Sequence, residues 1–109
     1  MQIEGVSFGT VDWSEVPRVD YPGETGRAVW RTMEQGNIRV RMVEYSPGYK
    51  ADHWCDRGHV ILVLEGELVT ELKDGRVFTL SAGMSYQVAS GAEAHRSTTK
   101  FGAKLFIVD

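Results

Sequence analysis

The sequence predicts an all-β domain in which about eight short strands form a sandwich or a closed barrel. Twelve glycines and three prolines divide the 109 residues into short pieces, and no long stretch keeps a helical period. Short runs of alternating or β-branched residues instead recur between turn signals, as is typical of strands joined by tight connections.

The clearest strand signals lie in the middle of the chain. Residues 37–45 alternate apolar side chains with Arg39 and Arg41, which predicts a half-buried strand whose arginines face solvent. Residues 59–72 are apolar on both faces at first and are interrupted by Gly66. The Asp-Gly pair at 74–75 predicts a tight hairpin, because it supplies a positive φ. The remaining strand signals are in residues 77–80, 84–88, 90–98 and 103–109.

The first 27 residues have a different character. They are rich in polar and turn-forming residues, with Trp13, Val16, Val19 and Tyr21 as isolated apolar side chains. We therefore expect residues 1–27 to form an arm that packs on the barrel or on a neighbouring subunit. Residues 28–109 are expected to form one barrel, because a chain of this length supports a single modest core.

Composition and charge exclude several classes of protein. The net charge is -3 and the pI is about 5.6, so the basic surface of a nucleic-acid-binding protein is missing. The longest unbroken apolar run, residues 60–64, is too short to span a bilayer, and no signal peptide is recognisable. A single cysteine cannot form an internal disulfide, which fits a reducing compartment. We expect a cytoplasmic protein that binds neither nucleic acid nor membrane.

The stretch DHWCDRGH, residues 52–59, holds two of the three histidines and the only cysteine. In an extended strand His53 and Cys55 face the same way, because side chains alternate with a period of two. A turn before His59 would return its imidazole to the same pocket, and His95 follows later in the chain. Imidazole and thiolate groups from neighbouring strands are typical transition-metal ligands. This predicts a metal site, with a buried structural cysteine and hydrogen-bonded histidines as the alternatives.

Residues 38–108 resemble the cupin superfamily. Motif 1 reads Gly48, four residues, His53, one residue, Cys55, three residues, His59, six residues and Gly66. Gly83, Gly91 and His95 resemble motif 2. The segment ADHWCDRGH is more closely similar to the small proteins known as DHCW-motif cupin-fold proteins.

The resemblance implies a double-stranded β-helix, or jelly-roll barrel, that holds a metal. In the family, two histidines and a glutamate of motif 1 and one histidine of motif 2 are the ligands. Here Cys55 replaces the second histidine and His59 replaces the glutamate. The implied ligands are thus His53, Cys55, His59 and His95, around one divalent transition metal. Zinc or iron is expected first, then nickel or manganese, because thiolate disfavours magnesium and calcium.

The ligand set is compatible with more than one function. Four protein ligands around tetrahedral zinc close the site, whereas six-coordinate iron, nickel or manganese keeps positions open for substrate. If Cys55 does not bind the metal, its thiol becomes a candidate catalytic group. The resemblance implies a dioxygenase-like or isomerase-like metalloenzyme acting on a small polar metabolite. The alternatives are a non-catalytic module that binds metal or a small ligand, and a metal-free barrel that binds a sugar or a carboxylate.

Residues near the motif also have expected positions and roles. Asp52 and Asp56 are candidates to hold an imidazole in one tautomer. Trp54 should point away from the ligand face. Arg41 and Arg96 should lie on solvated strand faces, with pairing to an anionic substrate as the alternative. We expect a homodimer, because small cupin barrels commonly pair sheet to sheet, with segment 28–32 at the contact.

Overall fold

The chain folds into eight antiparallel strands arranged as a jelly roll, which confirms the predicted fold class. The computed structural model describes all 109 residues. The helical structure is confined to a short 3-10 turn at Trp13–Glu15, so no helix is long and apolar enough to cross a membrane. The strands are β1 Val19–Pro22, β2 Arg27–Gln35, β3 Ile38–Tyr45, β4 His59–Leu72, β5 Val77–Ser81, β6 Ser85–Val88, β7 His95–Thr98 and β8 Ala103–Val108.

The long strand β4 connects two sheets. Its first half pairs with β8 and β6, and the larger sheet continues from β8 through β3 and β2 to β1. Its second half pairs with β5 and β7 in the smaller sheet. Where the two halves meet, the register with β8 shifts between Val63 and Glu65. The hairpin predicted at residues 74–75 joins β4 to β5.

Gly66 allows β4 to leave one sheet and enter the other. Its φ is +79°, and a Cβ at this position would overlap the carbonyl oxygen of Gly102 and lie 3.0 Å from the Cα of Ala103. Both the left-handed backbone and the close approach of β8 therefore require glycine. The interruption seen in the sequence at this residue is a bend within one continuous strand.

The interior changes from apolar to charged toward one end of the barrel. Side chains on the inner faces of β3, β8 and β4 form successive layers, because inward-facing residues recur every second position. The first of three layers is apolar and buried, the second contains one arginine, and the third consists of charged and imidazole side chains. In that order the layers are Val43–Leu105–Val63, Arg41–Ile107–Ile61 and Arg39–Asp109–His59.

The predicted solvent-facing position of Arg41 is wrong. Residues 38–45 do form a strand, but Arg41 is only 5% exposed and faces the barrel interior. The outer face of β3, with Met42, is instead covered in part by Trp13, which packs edge-on against Phe106. The side chains of β3 do alternate between its two faces. Both faces are at least partly covered, and the arginines lie on the inner face.

The N-terminal residues lie along the outside of the larger sheet. Glu4 exchanges hydrogen bonds with Asn37, at the turn between β2 and β3, and β1 pairs with β2. Segment 28–32 therefore has strands of its own chain on both sides, β1 and β3, and is not a free edge for a second subunit. The division into an arm at 1–27 and a barrel at 28–109 stays a prediction.

Candidate metal centre

Three of the four predicted ligands come together at the charged end of the barrel. The donor atoms of Cys55, His59 and His95 all lie within 4.8 Å of one another. His59 begins β4 and His95 begins β7. Cys55 is aligned by two backbone hydrogen bonds with His95, with N···O distances of 2.8 and 2.9 Å. The pairing of the cysteine with β7 thus joins the two motifs of the sequence.

His53 lies apart from this group. Residues 51–54 form no strand, so the period of two that was expected to align His53 with Cys55 does not apply. The His53 side chain is 76% exposed, and its Nδ1 lies 2.6 Å from Oδ1 of Asp52. His53 nevertheless lines the same cavity as the three grouped residues. Its role as a ligand stays a prediction.

The tautomer of His95 follows from its surroundings. Its Nδ1 lies 2.8 Å from the backbone carbonyl oxygen of Glu93, which can only accept a hydrogen bond. Nδ1 therefore carries the proton and donates it. The lone pair of Nε2 is left directed toward His59, whose Nε2 lies 2.9 Å away. A backbone carbonyl behind an imidazole is a common means of orienting a metal-binding nitrogen.

His59 cannot satisfy both of its nitrogens as a neutral side chain. If Nε2 carries the proton, it donates to His95, and an unprotonated Nδ1 then faces the carboxylate of Asp109 at 3.6 Å. If Nδ1 carries the proton, Nε2 can accept from the hydroxyl of Tyr86 at 3.2 Å. Nδ1 of His59 is buried and makes no hydrogen bond. Either arrangement therefore leaves Nδ1 without a hydrogen-bond partner, which is unfavourable in a buried site.

The chemistry of these side chains fits a transition metal. Cys55 would hold it through its sulfur, and His59 and His95 through their Nε2 atoms, which lie 2.9 Å apart. The His95 ring is already oriented for this, because its Nδ1 proton is held by the carbonyl oxygen of Glu93.

The pKa values in the cluster follow from burial and neighbouring groups. The His95 imidazole lowers the pKa of the Cys55 thiol, against the burial that would raise it. The same contact raises the pKa of His95. Burial lowers the pKa of His59, and this outweighs the opposing effect of Asp109. A neutral His59 beside a thiol that ionises readily is the form that binds a metal.

Asp109 is a site residue that the sequence analysis missed. Its side chain has no exposed surface and lies within 3.0 Å of Arg39 and Arg41 and 3.4 Å of Arg57. Burial would raise the pKa of its carboxyl, but the hydrogen bonds with Arg39, the proximity of His59 and the charge of Arg41 hold it well below the usual range. The signal was present: the alternation of Ala103, Leu105 and Ile107 on the buried face of β8 continues to residue 109.

A cavity of about 280 Å³ adjoins the cluster. Tyr45 and Tyr49 stack at one side of it, with ring centroids 4.2 Å apart. Arg96 does not lie on a solvated strand face as predicted: its guanidinium packs over the ring of Trp54 at 4.4 Å and also reaches the cavity. Trp54 itself does not line the cavity, in agreement with its predicted orientation.

Known structures share this fold. An RmlC-like cupin from Shewanella frigidimarina NCIMB 400 is 21% identical, with a TM-score of 0.74 over 99% of this chain and 92% of that one. A predicted oxalate decarboxylase from Thermotoga maritima is 15% identical, with a TM-score of 0.75 over 92% and 96% of the two chains. A sugar phosphate isomerase of a cupin superfamily from Silicibacter pomeroyi is 19% identical, with a TM-score of 0.72 over 92% and 74%.

Comparisons based on sequence add no relative. No protein-family model matches the chain, and no curated protein matches it. Structural likeness at these levels of identity shows the fold alone. The chain is a small domain with the cupin jelly-roll fold.

Proposed function

We propose that this protein binds one divalent transition metal through His59, His95 and Cys55 and uses it to transform a small polar metabolite. The observation that carries the proposal is the convergence of imidazole and thiol donor atoms of Cys55, His59 and His95 within 4.8 Å of one another. The carbonyl oxygen of Glu93 holds the proton of His95 on Nδ1, which leaves the lone pair of its Nε2 available to a cation.

The donor chemistry narrows the choice of metal. Thiolate and imidazole favour zinc or iron over magnesium and calcium, and nickel or manganese are the alternatives. We retain His53 as a fourth donor, because its Nδ1 is held by Asp52 and its Nε2 is free. The exposed position of His53 means that ordering it costs conformational entropy, so we assign it a smaller share of the affinity than His95.

A metal in this position would supply Lewis-acid chemistry to a molecule in the adjoining cavity. The chain's own residues would orient and enclose that molecule. The hydroxyl of Tyr86 lies 3.2 Å from Nε2 of His59 and lines the cavity. Support for an enzyme also comes from the similar structures named as an isomerase and as a predicted decarboxylase.

Metal removal tests the proposal. We expect protein purified without chelator to contain about one transition metal per chain. Chelation is expected to lower the melting temperature by about 10 °C or more, because a ligand that binds only the folded state stabilises it. Reloading with zinc, iron, nickel or manganese should restore the melting temperature, and magnesium or calcium should not.

Binding of none of these metals, with no change in melting temperature, would contradict the proposal. The enzyme and the binding module are separated by incubating metal-loaded and chelated protein with small polar metabolites. Conversion that requires the metal supports the enzyme. Retention of a metabolite without conversion would assign a binding module instead.

We also propose that the protein forms a homodimer through the outer face of its larger sheet. Val60 and Leu64 of β4 point outward there and are 45% and 39% exposed, and clustered exposed apolar side chains favour association. We expect sedimentation at micromolar concentration to give a particle of twice the 12.2 kDa chain mass. A monomer would contradict the dimer, and Leu64→Lys should weaken it.

A further inference from the structure

The cavity beside the candidate metal centre has an excess of positive charge. Arg39, Arg41 and Arg57 all lie on or near the single carboxylate of Asp109, at distances of 2.9, 3.0 and 3.4 Å. Arg39 occupies both carboxylate oxygens with two hydrogen bonds, and Arg41 adds a third. One carboxylate therefore faces three guanidinium groups, of which those of Arg39 and Arg41 are largely buried and that of Arg57 is half exposed.

Arg41 retains hydrogen-bonding capacity that nothing in the chain uses. Its Nε is buried and has no hydrogen-bond partner, and the side chain as a whole is only 6% exposed. The guanidinium is held over the ring of Trp30, 4.2 Å from the centroid, and lines the cavity. An unpaired buried donor is unfavourable, so the guanidinium is less than fully satisfied by the chain itself.

Arg57 is a second arginine that lines the cavity, at its solvent-exposed side. Its side chain is about half exposed and makes no direct hydrogen bond, so its guanidinium is free to move onto a ligand. No aspartate or glutamate lines the cavity. The thiol of Cys55 can carry negative charge there, but it lies against His95, where the proposed metal would take its charge. The lining of the cavity therefore holds more cationic than anionic side chains.

We propose that the cavity binds a small metabolite bearing an oxyanion, a carboxylate or a phosphate, through Arg41 and Arg57. Guanidinium groups pair with both anions by charge-assisted hydrogen bonds, which are the strong class in proteins. The volume of about 280 Å³ restricts the ligand to a small molecule. If this anion is the substrate of the metal centre, the inference rests on the proposed function. The anion site itself consists of Arg41 and Arg57, which are not among the proposed metal ligands.

Calorimetric titration in low-salt buffer tests the anion site. The probes are malonate, its neutral counterpart malonamide, and inorganic phosphate. Each is titrated into metal-loaded and into chelated protein, for the wild type, Arg41→Gln, Arg57→Gln and Arg18→Gln. Arg18 is exposed and outside the cavity, so Arg18→Gln is the matched control for the loss of one positive charge.

We expect malonate or phosphate to bind both forms of the wild type, and malonamide to bind at least about tenfold more weakly than malonate. Arg41→Gln should weaken anion binding about tenfold or more and Arg57→Gln about threefold, with Arg18→Gln unchanged. The tighter of the two anions identifies the class of oxyanion. If Arg41→Gln does not fold, Arg57→Gln still tests the site, because that side chain is half exposed.

Three results would overturn the inference. The first is that neither malonate nor phosphate binds, and the second is that malonamide binds as tightly as malonate. The third is that anion binding requires the metal and is unchanged in Arg41→Gln and Arg57→Gln. The last would make the anion a metal ligand only. Arg41-dependent binding in a protein that takes up no metal would leave the anion site intact and remove the metal proposal, so the two failures are distinguishable.

Discussion

Replacement of His95 by alanine is expected to abolish stoichiometric metal binding. The Nε2 atom of His95 is the proposed metal-binding nitrogen. The ring that carries it is oriented by the 2.8 Å contact of Nδ1 with the carbonyl oxygen of Glu93. Its loss removes one of three grouped donors and the partner of His59. We expect the affinity for the metal to fall by more than about a hundredfold, beyond the loss typical of supporting residues. Competition with a chromophoric chelator measures this directly.

His53→Ala is the matched comparison, because it removes an imidazole from the same cavity outside the group of three. We expect a loss of about tenfold, the lower end of what an accessory contact contributes. Circular dichroism should show that both variants keep their strands, since the backbone pairing of residues 55 and 95 needs neither side chain. Full metal content in His95→Ala would exclude the proposed ligand set.

Replacement of Asp109 by alanine is expected to cause the largest loss of stability of any single change at the site. The carboxylate is fully buried and pairs with Arg39 and Arg41, whose side chains are largely buried as well. Removing one partner leaves uncompensated charges in the interior, which typically costs about 3–5 kcal/mol. Urea denaturation of the wild type and the variant gives the difference in the free energy of unfolding.

The control for Asp109→Ala is Asp74→Ala. Asp74 also pairs with an arginine, Arg76, but both side chains are more than half exposed, in the hairpin between β4 and β5. Surface pairs of this kind contribute little to stability, because solvent screens both charges, so we expect Asp74→Ala to change the free energy of unfolding far less than Asp109→Ala. Equal, small effects of the two substitutions would show that the buried arginines do not depend on Asp109.

Much of the fold could be predicted because its signals are local. Glycines, prolines and alternating side chains mark the ends and faces of strands without reference to the rest of the chain. The continuous apolar run at the start of β4 and the Asp-Gly hairpin after it are of this kind. The resemblance in the two motifs supplied the long-range arrangement that brings Cys55 next to His95.

The charged interior could not be predicted in the same way, because its partners are distant in sequence. Arg41 and Asp109 are separated by 68 positions, and an arginine in an alternating strand is usually exposed. The alternation along β8 indicates the inward position of Asp109, but only the pairing of β3 with β8 shows that Arg41 lies beside it. His53 failed to join the group for a related reason: the predicted period of two requires a strand, and residues 51–54 form none.

The most direct test of the central claim is X-ray absorption spectroscopy of the metal-loaded protein. We predict one sulfur at about 2.3 Å and imidazole nitrogens at about 2.0–2.1 Å from the metal. The sulfur contribution should disappear in Cys55→Ser, while the imidazole contribution remains. A metal surrounded by oxygen alone, without sulfur or imidazole scattering, would contradict the assignment of Cys55, His59 and His95 as its ligands.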